Sequence, residues 1–235
     1  MKWENSIIDA LLWGKEITRR EEKERVAKRI AAMVKDGDVL GVGSGSTAYM
    51  ALLAIAERVK REKLHIKAIP TSLEIAMACA RLGIQVSSPE EHRPDWTFDG
   101  ADEIDPNLSL IKGRGGAMFK EKLLINSSPR TYIIADSSKM VNRLGMNFPV
   151  PVEVFPQALT YVGQALKALS PAEIKLRMAE GKDGPIITEN GNLIVDVWFD
   201  SIPEATETAI KSITGVIESG LFIGYPVEIL TDNEG

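Results

Sequence analysis

Val39-Leu40-Gly41-Val42-Gly43-Ser44-Gly45-Ser46-Thr47-Ala48 reads as a short apolar strand running into a glycine-rich turn and out into a helix. The same alternation continues on both sides. Upstream, Val26, Ile30, Met33 and Val34 recur at helical spacing over 22–35, and Asp36-Gly37-Asp38 ends that helix. Downstream, the helix from the turn extends to about Lys60 and Leu64 to Ile69 follows as a strand. Leu73, Ile75, Ala76, Met77 and Ala80 then form an apolar helix closed by Gly83. Ile84 to Ser87, Trp96 to Phe98 and Tyr132 to Ala135 read as further strands, the last preceded by a helix from about Ala117 to Asn126.

Strands alternating with helices predict βαβ units, and so an α/β fold: a Rossmann-like, mostly parallel sheet flanked by helices. Ligands of such sheets bind beyond the carboxyl ends of the strands, which points to the loops at 43–47, 70–72, 99–116 and 136–139. The pattern changes at Phe148-Pro149-Val150-Pro151. Strand-like Pro151 to Val154 and Leu193 to Phe199, helical Ala158 to Leu169 and a hairpin turn at Asn190-Gly191 predict a smaller α+β second domain. The expected division is 1–147 with 220–235 for the larger domain and 148–219 for the smaller. The segment from Leu221 to Leu230 is expected to return to the first sheet.

Composition narrows the function. The 235 residues carry 28 basic and 33 acidic side chains, a net charge of −5, and 44% are apolar, enough for a real core. That balance offers no electrostatic footprint for nucleic acid or an anionic membrane surface, so neither partner is expected. No run of about twenty apolar residues spans a membrane. The apolar run Ile7 to Trp13 is broken by Asp9 and lacks a small-residue cleavage site, so no leader is expected. A single cysteine, Cys79, forms no internal disulfide and suits a reducing, cytoplasmic setting. His65 and His92 stand without metal-ligand spacing, so no metal site is expected.

Four segments carry chemistry. In the first, Ser44, Gly45, Ser46 and Thr47 place amides and hydroxyls at a helix start, where they suit a phosphate. No lysine follows the last glycine as in a P-loop, and Ser46 replaces the third glycine of a dinucleotide fingerprint. By itself the loop fits a small phosphorylated ligand or a purely structural turn. In the second, Asp99-Gly100-Ala101-Asp102-Glu103-Ile104-Asp105 gathers four acids after a strand, as a solvated loop, as caps, or for proton transfer and hydroxyl binding. In the third, Lys112-Gly113-Arg114-Gly115-Gly116 enters a helix bearing Glu121. Lys112 suits an oxyanion. Glu121 suits a base aimed inward or an exposed glutamate between Lys120 and Lys122. Asp136-Ser137-Ser138-Lys139 brings another cation to a strand end.

Together these stretches, with Pro70-Thr71-Ser72, Phe148-Pro149-Val150-Pro151-Val152-Glu153-Val154, Asn190-Gly191-Asn192 and Gly220-Leu221-Phe222, closely resemble the ribose-5-phosphate isomerase A family from about residue 21 to the end. The resemblance implies interconversion of D-ribose 5-phosphate and D-ribulose 5-phosphate through a cis-enediolate, in the non-oxidative pentose phosphate pathway, without metal or organic cofactor. It also implies a homodimer or homotetramer. By the same resemblance Glu121 matches the proton acceptor, Asp99 assists ring opening and oxygen proton transfer, and Lys112 steadies the enediolate. Ser44 to Thr47, Asp99, Gly100, Ala101, Asp102, Lys112 to Gly115 and Lys139 match substrate-binding segments. Two positions depart from the family pattern. Ser44 stands for a threonine, and Arg114 interrupts a glycine run, which costs about 1 kcal/mol if that position needs positive φ.

Two other classes compete. A non-catalytic sugar-phosphate-sensing domain would keep the phosphate loop without needing Glu121, and would normally bring a DNA-binding helix that residues 1–40 do not supply. An acyl-CoA transferase relative would need its glutamate in another context. Outside the resemblance, Trp3, Ile7, Ile8, Leu11 and Leu12 make an amphipathic face suited to packing. Cys79, Met77, Met118 and Trp198 read as packing residues, and His65 and His92 show no evident partner.

Overall fold

The computed structural model describes Trp13 and residues 16–232, so the amphipathic face at Trp3, Ile7, Ile8, Leu11 and Leu12 lies outside the described residues. The chain forms two compact units. The first takes the chain up to Gly100, Leu123–Ser137 and the chain from Pro226 on; the second takes Ala101–Lys122 and Ser138–Tyr225.

In the first unit, α1 (Arg20–Met33), β1 (Val39–Val42), α2 (Gly45–Glu62), β2 (Lys67–Pro70), α3 (Leu73–Leu82), β3 (Gln85–Val86) and β4 (Trp96–Asp99) follow the alternation of the sequence. With β7 (Thr131–Ala135) and β13 (Glu228–Thr231) the strands make a sheet in the order β13-β7-β4-β1-β2-β3, parallel throughout. The helices bury Val26, Ile30, Leu52, Ile55 and Ile75 in one core with Leu40, Phe98 and Ile134 of the strands. Gly83 closes α3 with φ +75°, as its position after the last apolar residue predicts. Cys79 is fully buried in α3, and burial pushes its thiol up to about 12, so it is a core thiol. The chain reaches β2 on one side of β1 and β4 on the other. The β1 and β4 ends therefore form the switch point where parallel sheets open a crevice.

The second unit contains β5 (Glu103–Ile104), β6 (Leu110–Ile111), the start of α4 (Met118–Ser127), β8 (Val150–Val154), α5 (Leu159–Lys167), β9 (Glu173–Leu176), β10 (Leu193–Trp198), α6 (Thr206–Lys211), β11 (Val216–Ser219) and β12 (Leu221–Phe222). Its antiparallel sheet has the order β11-β8-β10-β9, and Val150, Val152, Val154, Val195 and Val197 pack with Leu166 and Ile210. Pro151 sits inside β8 opposite Gly220, whose N–H bonds the Pro151 carbonyl at 2.7 Å; the Gly220 carbonyl accepts the Lys112 N–H at 2.9 Å, so the N–H that proline lacks leaves no acceptor unpaired. Asn190-Gly191 turns as the sequence predicts, with φ +78° at Gly191 and the Thr188 N–H bonded to the Asn192 carbonyl. A second sheet, β12-β6-β5, has no counterpart in the sequence reading, because strands of two residues carry no periodicity. The segment after Gly220 divides: Leu221–Phe222 pairs with β6, and only Glu228–Thr231 joins the parallel sheet.

Candidate active site

At the end of β1 the chain turns at Gly43, whose N–H bonds the Phe98 carbonyl at 2.8 Å. A Cβ there would stand 2.1 Å from the Asp99 carboxyl carbon, so only glycine lets Asp99 lie against the loop. Asp99 is buried, and its Oδ1 accepts the Gly100 N–H at 2.7 Å. Ser44 occupies the cap of α2 but makes no side-chain cap bond; its hydroxyl lies 2.7 Å from Thr71 Oγ1. The first-turn amides of an 18-residue helix thus stand beside the hydroxyls of Ser46 and Thr47, a setting suited to an anion.

The sequence reading missed Lys23. It is buried, and its ammonium donates to Ser46 Oγ at 3.0 Å, which adds a cation to the Ser44–Thr47 loop. Its signal was present: Lys23, Val26, Ala27 and Ile30 share one helical stripe, and all four are buried.

The second unit holds the other group. Lys112 and Glu121 are 2% and 5% exposed, with Nζ 3.3 Å from Oε2. The exposed-glutamate alternative is therefore wrong. α4 turns residue 121 inward, while Lys120 pairs at the surface with Glu189 at 2.7 Å. Lys122 is buried as well and bonds Glu207 Oε1 at 2.6 Å, Glu218 Oε1 at 2.9 Å and the Leu221 carbonyl at 2.8 Å. These bonds hold the first turns of α4, and with them Glu121, in place.

Positive φ falls on Gly113 and Gly116 and not on Arg114, so the strain foreseen for the arginine is absent. The Arg114 guanidinium instead lies 5.8 Å from the centre of the Phe148 ring, and the Lys139 ammonium lies 5.4 Å from the same ring. Asp102 is half-buried and its Oδ2 accepts the Arg114 N–H at 3.3 Å.

The remaining acids of the cluster are structural. Glu103 is fully buried and accepts the N–H groups of Gly145, Asn147 and Phe148. Asp105 closes a local turn onto Asn107 and Ser109. His92, expected to lack a partner, lies 2.7 Å from Lys67 Nζ and 2.7 Å from Ser87 Oγ.

The family model described as ribose 5-phosphate isomerase A (phosphoriboisomerase A) matches residues 67–235. The ribose-5-phosphate isomerase A of Methanothermobacter thermautotrophicus is 43% identical over 204 residues, 86% of this chain and 89% of that protein. The human ribose-5-phosphate isomerase is 41% identical over 214 residues, 88% of this chain and 69% of the human protein. The solved ribose 5-phosphate isomerase A of Methanocaldococcus jannaschii superposes with a TM-score of 0.88 at 37% identity, covering 92% of this chain and 96% of its own. A D-ribose-5-phosphate isomerase solved with phospho-erythronic acid superposes at 0.86 and 35% identity, covering 91% and 95%. These likenesses do not favour the sensor alternative. Among the described residues no helix is long and apolar enough to cross a membrane.

Proposed function

The chain belongs to the ribose 5-phosphate isomerase A family of aldose–ketose isomerases, and we propose that Glu121 is the single proton carrier as it interconverts D-ribose 5-phosphate and D-ribulose 5-phosphate. The observation that carries the assignment is the buried Lys112–Glu121 pair. The pair brings a carboxylate, the group a base requires, and an ammonium, the group a developing oxyanion requires, to one buried place.

The Glu121 carboxylate takes the proton from C2, and the electron pair moves into a C1–C2 double bond while negative charge collects on O1. The O2 proton passes to O1, and the carboxylic acid at 121 returns its proton to C1. The product has the atoms of the substrate and no net proton is exchanged. The Lys112 ammonium and loop amides stabilise the transient oxyanion, an effect commonly worth about 3–4 kcal/mol per donor. Asp99 assists ring opening and the transfer between the oxygens. Ser44, Gly45, Ser46, Thr47 and Lys23 bind the 5-phosphate, whose remote binding energy orients the reacting carbons. Gly100, Ala101, Asp102, Gly113, Arg114, Gly115 and Lys139 complete substrate binding.

The protein acts as a homo-oligomer, a reading supported by family membership and by the exposed aromatic side chains of Phe155 and Tyr161. A cytoplasmic location is supported by the lone, buried Cys79.

The test is ketose formation from ribose 5-phosphate, followed spectroscopically with a chelator present, for the parent and for Glu121→Gln. Glu121→Gln abolishes turnover while calorimetry still registers substrate binding. Near-parent turnover in that variant rejects Glu121 as the proton carrier.

A further inference from the structure

The loop that follows Lys112 is held by a side chain to which neither the sequence reading nor the reaction gives a part. Arg177, just past the end of β9, sends its Nη1 to two successive carbonyls, Gly113 at 3.2 Å and Arg114 at 2.8 Å. The rest of its fork is taken by Asp196 of β10: Nε donates to Oδ2 at 2.8 Å and Nη2 donates to Oδ1. Both side chains are largely withdrawn from water, at 14% and 16% exposure. The Arg177 main chain is tied as well, its N–H to the Ile194 carbonyl and its carbonyl to the Ile186 N–H.

We propose that Arg177, oriented by Asp196, is a positioning residue that sets the peptide planes of the Lys112–Gly115 loop; the proposal rests on the assignment of that loop to the isomerisation. The peptide between Gly113 and Arg114 is gripped at both ends, its carbonyl by Arg177 and its N–H by Asp102. In a trans peptide the N–H points opposite to the carbonyl. Holding the Arg114 carbonyl therefore aims the Gly115 N–H away from Arg177, as a fixed dipole in the loop. A glycine-rich loop without this hold samples many conformers, and a donor that must reorganise during the reaction stabilises charge poorly. Lysine cannot replace the arginine, because one ammonium does not span a carboxylate and two carbonyls in a planar fork.

The experiment compares Arg177→Lys and Asp196→Asn with the parent and with Glu121→Gln. It reads kcat and KM for ribose 5-phosphate, and amide hydrogen exchange over 113–117 and over β8 and β10. Arg177→Lys is expected to lower kcat roughly ten- to hundredfold, the scale of a small misplacement. KM is expected to move less than about threefold, and exchange should quicken in the loop alone. Millimolar guanidinium should restore part of the lost kcat in Arg177→Ala. Parent-like kcat with parent-like loop exchange overturns the proposal, and so does a kcat loss with β8 and β10 exchanging faster to the same degree. If Arg177→Lys does not fold, the near-isosteric Asp196→Asn decides by the same two readouts. An inactive Glu121→Gln beside a parent-like Arg177→Lys refutes the positioning role alone. An active Glu121→Gln beside an impaired Arg177→Lys refutes the proton assignment and keeps the positioning role.

Discussion

The ammonium of Lys112 and the carboxylate of Glu121 lie 3.3 Å apart at the head of α4, and both are buried. A buried pair of this kind needs a reason, since replacing it with apolar groups is often neutral or stabilising. The proposed isomerisation would supply one: its enediolate calls for both a charged base and a fixed cation.

Lys112→Ala should therefore remove oxyanion stabilisation and lower kcat by about 10²-fold or more. Lys139→Ala is expected to do less and to act chiefly on KM, because Lys139 is half-buried and rests against Phe148. Steady-state kinetics of the two variants make the comparison. Equal effects confined to KM would remove Lys112 from the chemistry.

Lys23 is expected to contribute binding energy to the 5-phosphate. Lys23→Met keeps the buried stem and deletes the charge. Its KM for ribose 5-phosphate should rise by roughly tenfold or more, with a smaller change in kcat. Inorganic phosphate should also inhibit it less than it inhibits the parent. An unchanged inhibition constant for phosphate would count against the lysine.

Arg114 does not occupy a left-handed conformation, so Arg114→Gly relieves no strain. The glycine instead widens the unfolded ensemble and removes the contact with Phe148, lowering stability by up to about 1 kcal/mol. Urea denaturation measures the difference. A more stable Arg114→Gly variant would contradict the observed backbone.

Glu218 gives a pH dependence of defined sign. Burial alone would raise its pKa, but the charge and hydrogen bond of Lys122, helped by the Ser219 N–H and by Lys211, hold it below its ordinary value of 4.5. A carboxyl depressed in the folded state contributes stability in full above its unfolded pKa, and loses it as pH falls through the folded one. Melting temperatures between neutral pH and about pH 3 should fall less steeply for Glu218→Gln than for the parent below about pH 4.5. Parallel curves would show that the Lys122 contact does not shift the titration.

Local patterns determined much of this protein. The alternation of helical and strand periods, the glycines after β1 and α3 and the Asn190-Gly191 turn are short-range signals that need only neighbouring residues, and each marks an element the structure contains. Motif chemistry offered Ser44–Thr47, Asp99, Lys112 and Glu121 as candidates, and the family resemblance gave them their expected roles. The fate of each charge was another matter. Lys120, Glu121 and Lys122 are consecutive, yet one pairs at the surface, one faces Lys112 and one is buried among Glu207, Glu218 and a carbonyl. Asp99 and Glu103 stand in one acidic run, yet Glu103 is consumed in holding three distant amides. Lys23 showed only as a position on an apolar helical stripe, and Arg177 gave no signal at all. A charged group is assigned by what surrounds it after folding, and those surroundings come mostly from segments tens of residues away, as Leu221 does for Lys122, so only the tertiary structure could decide them.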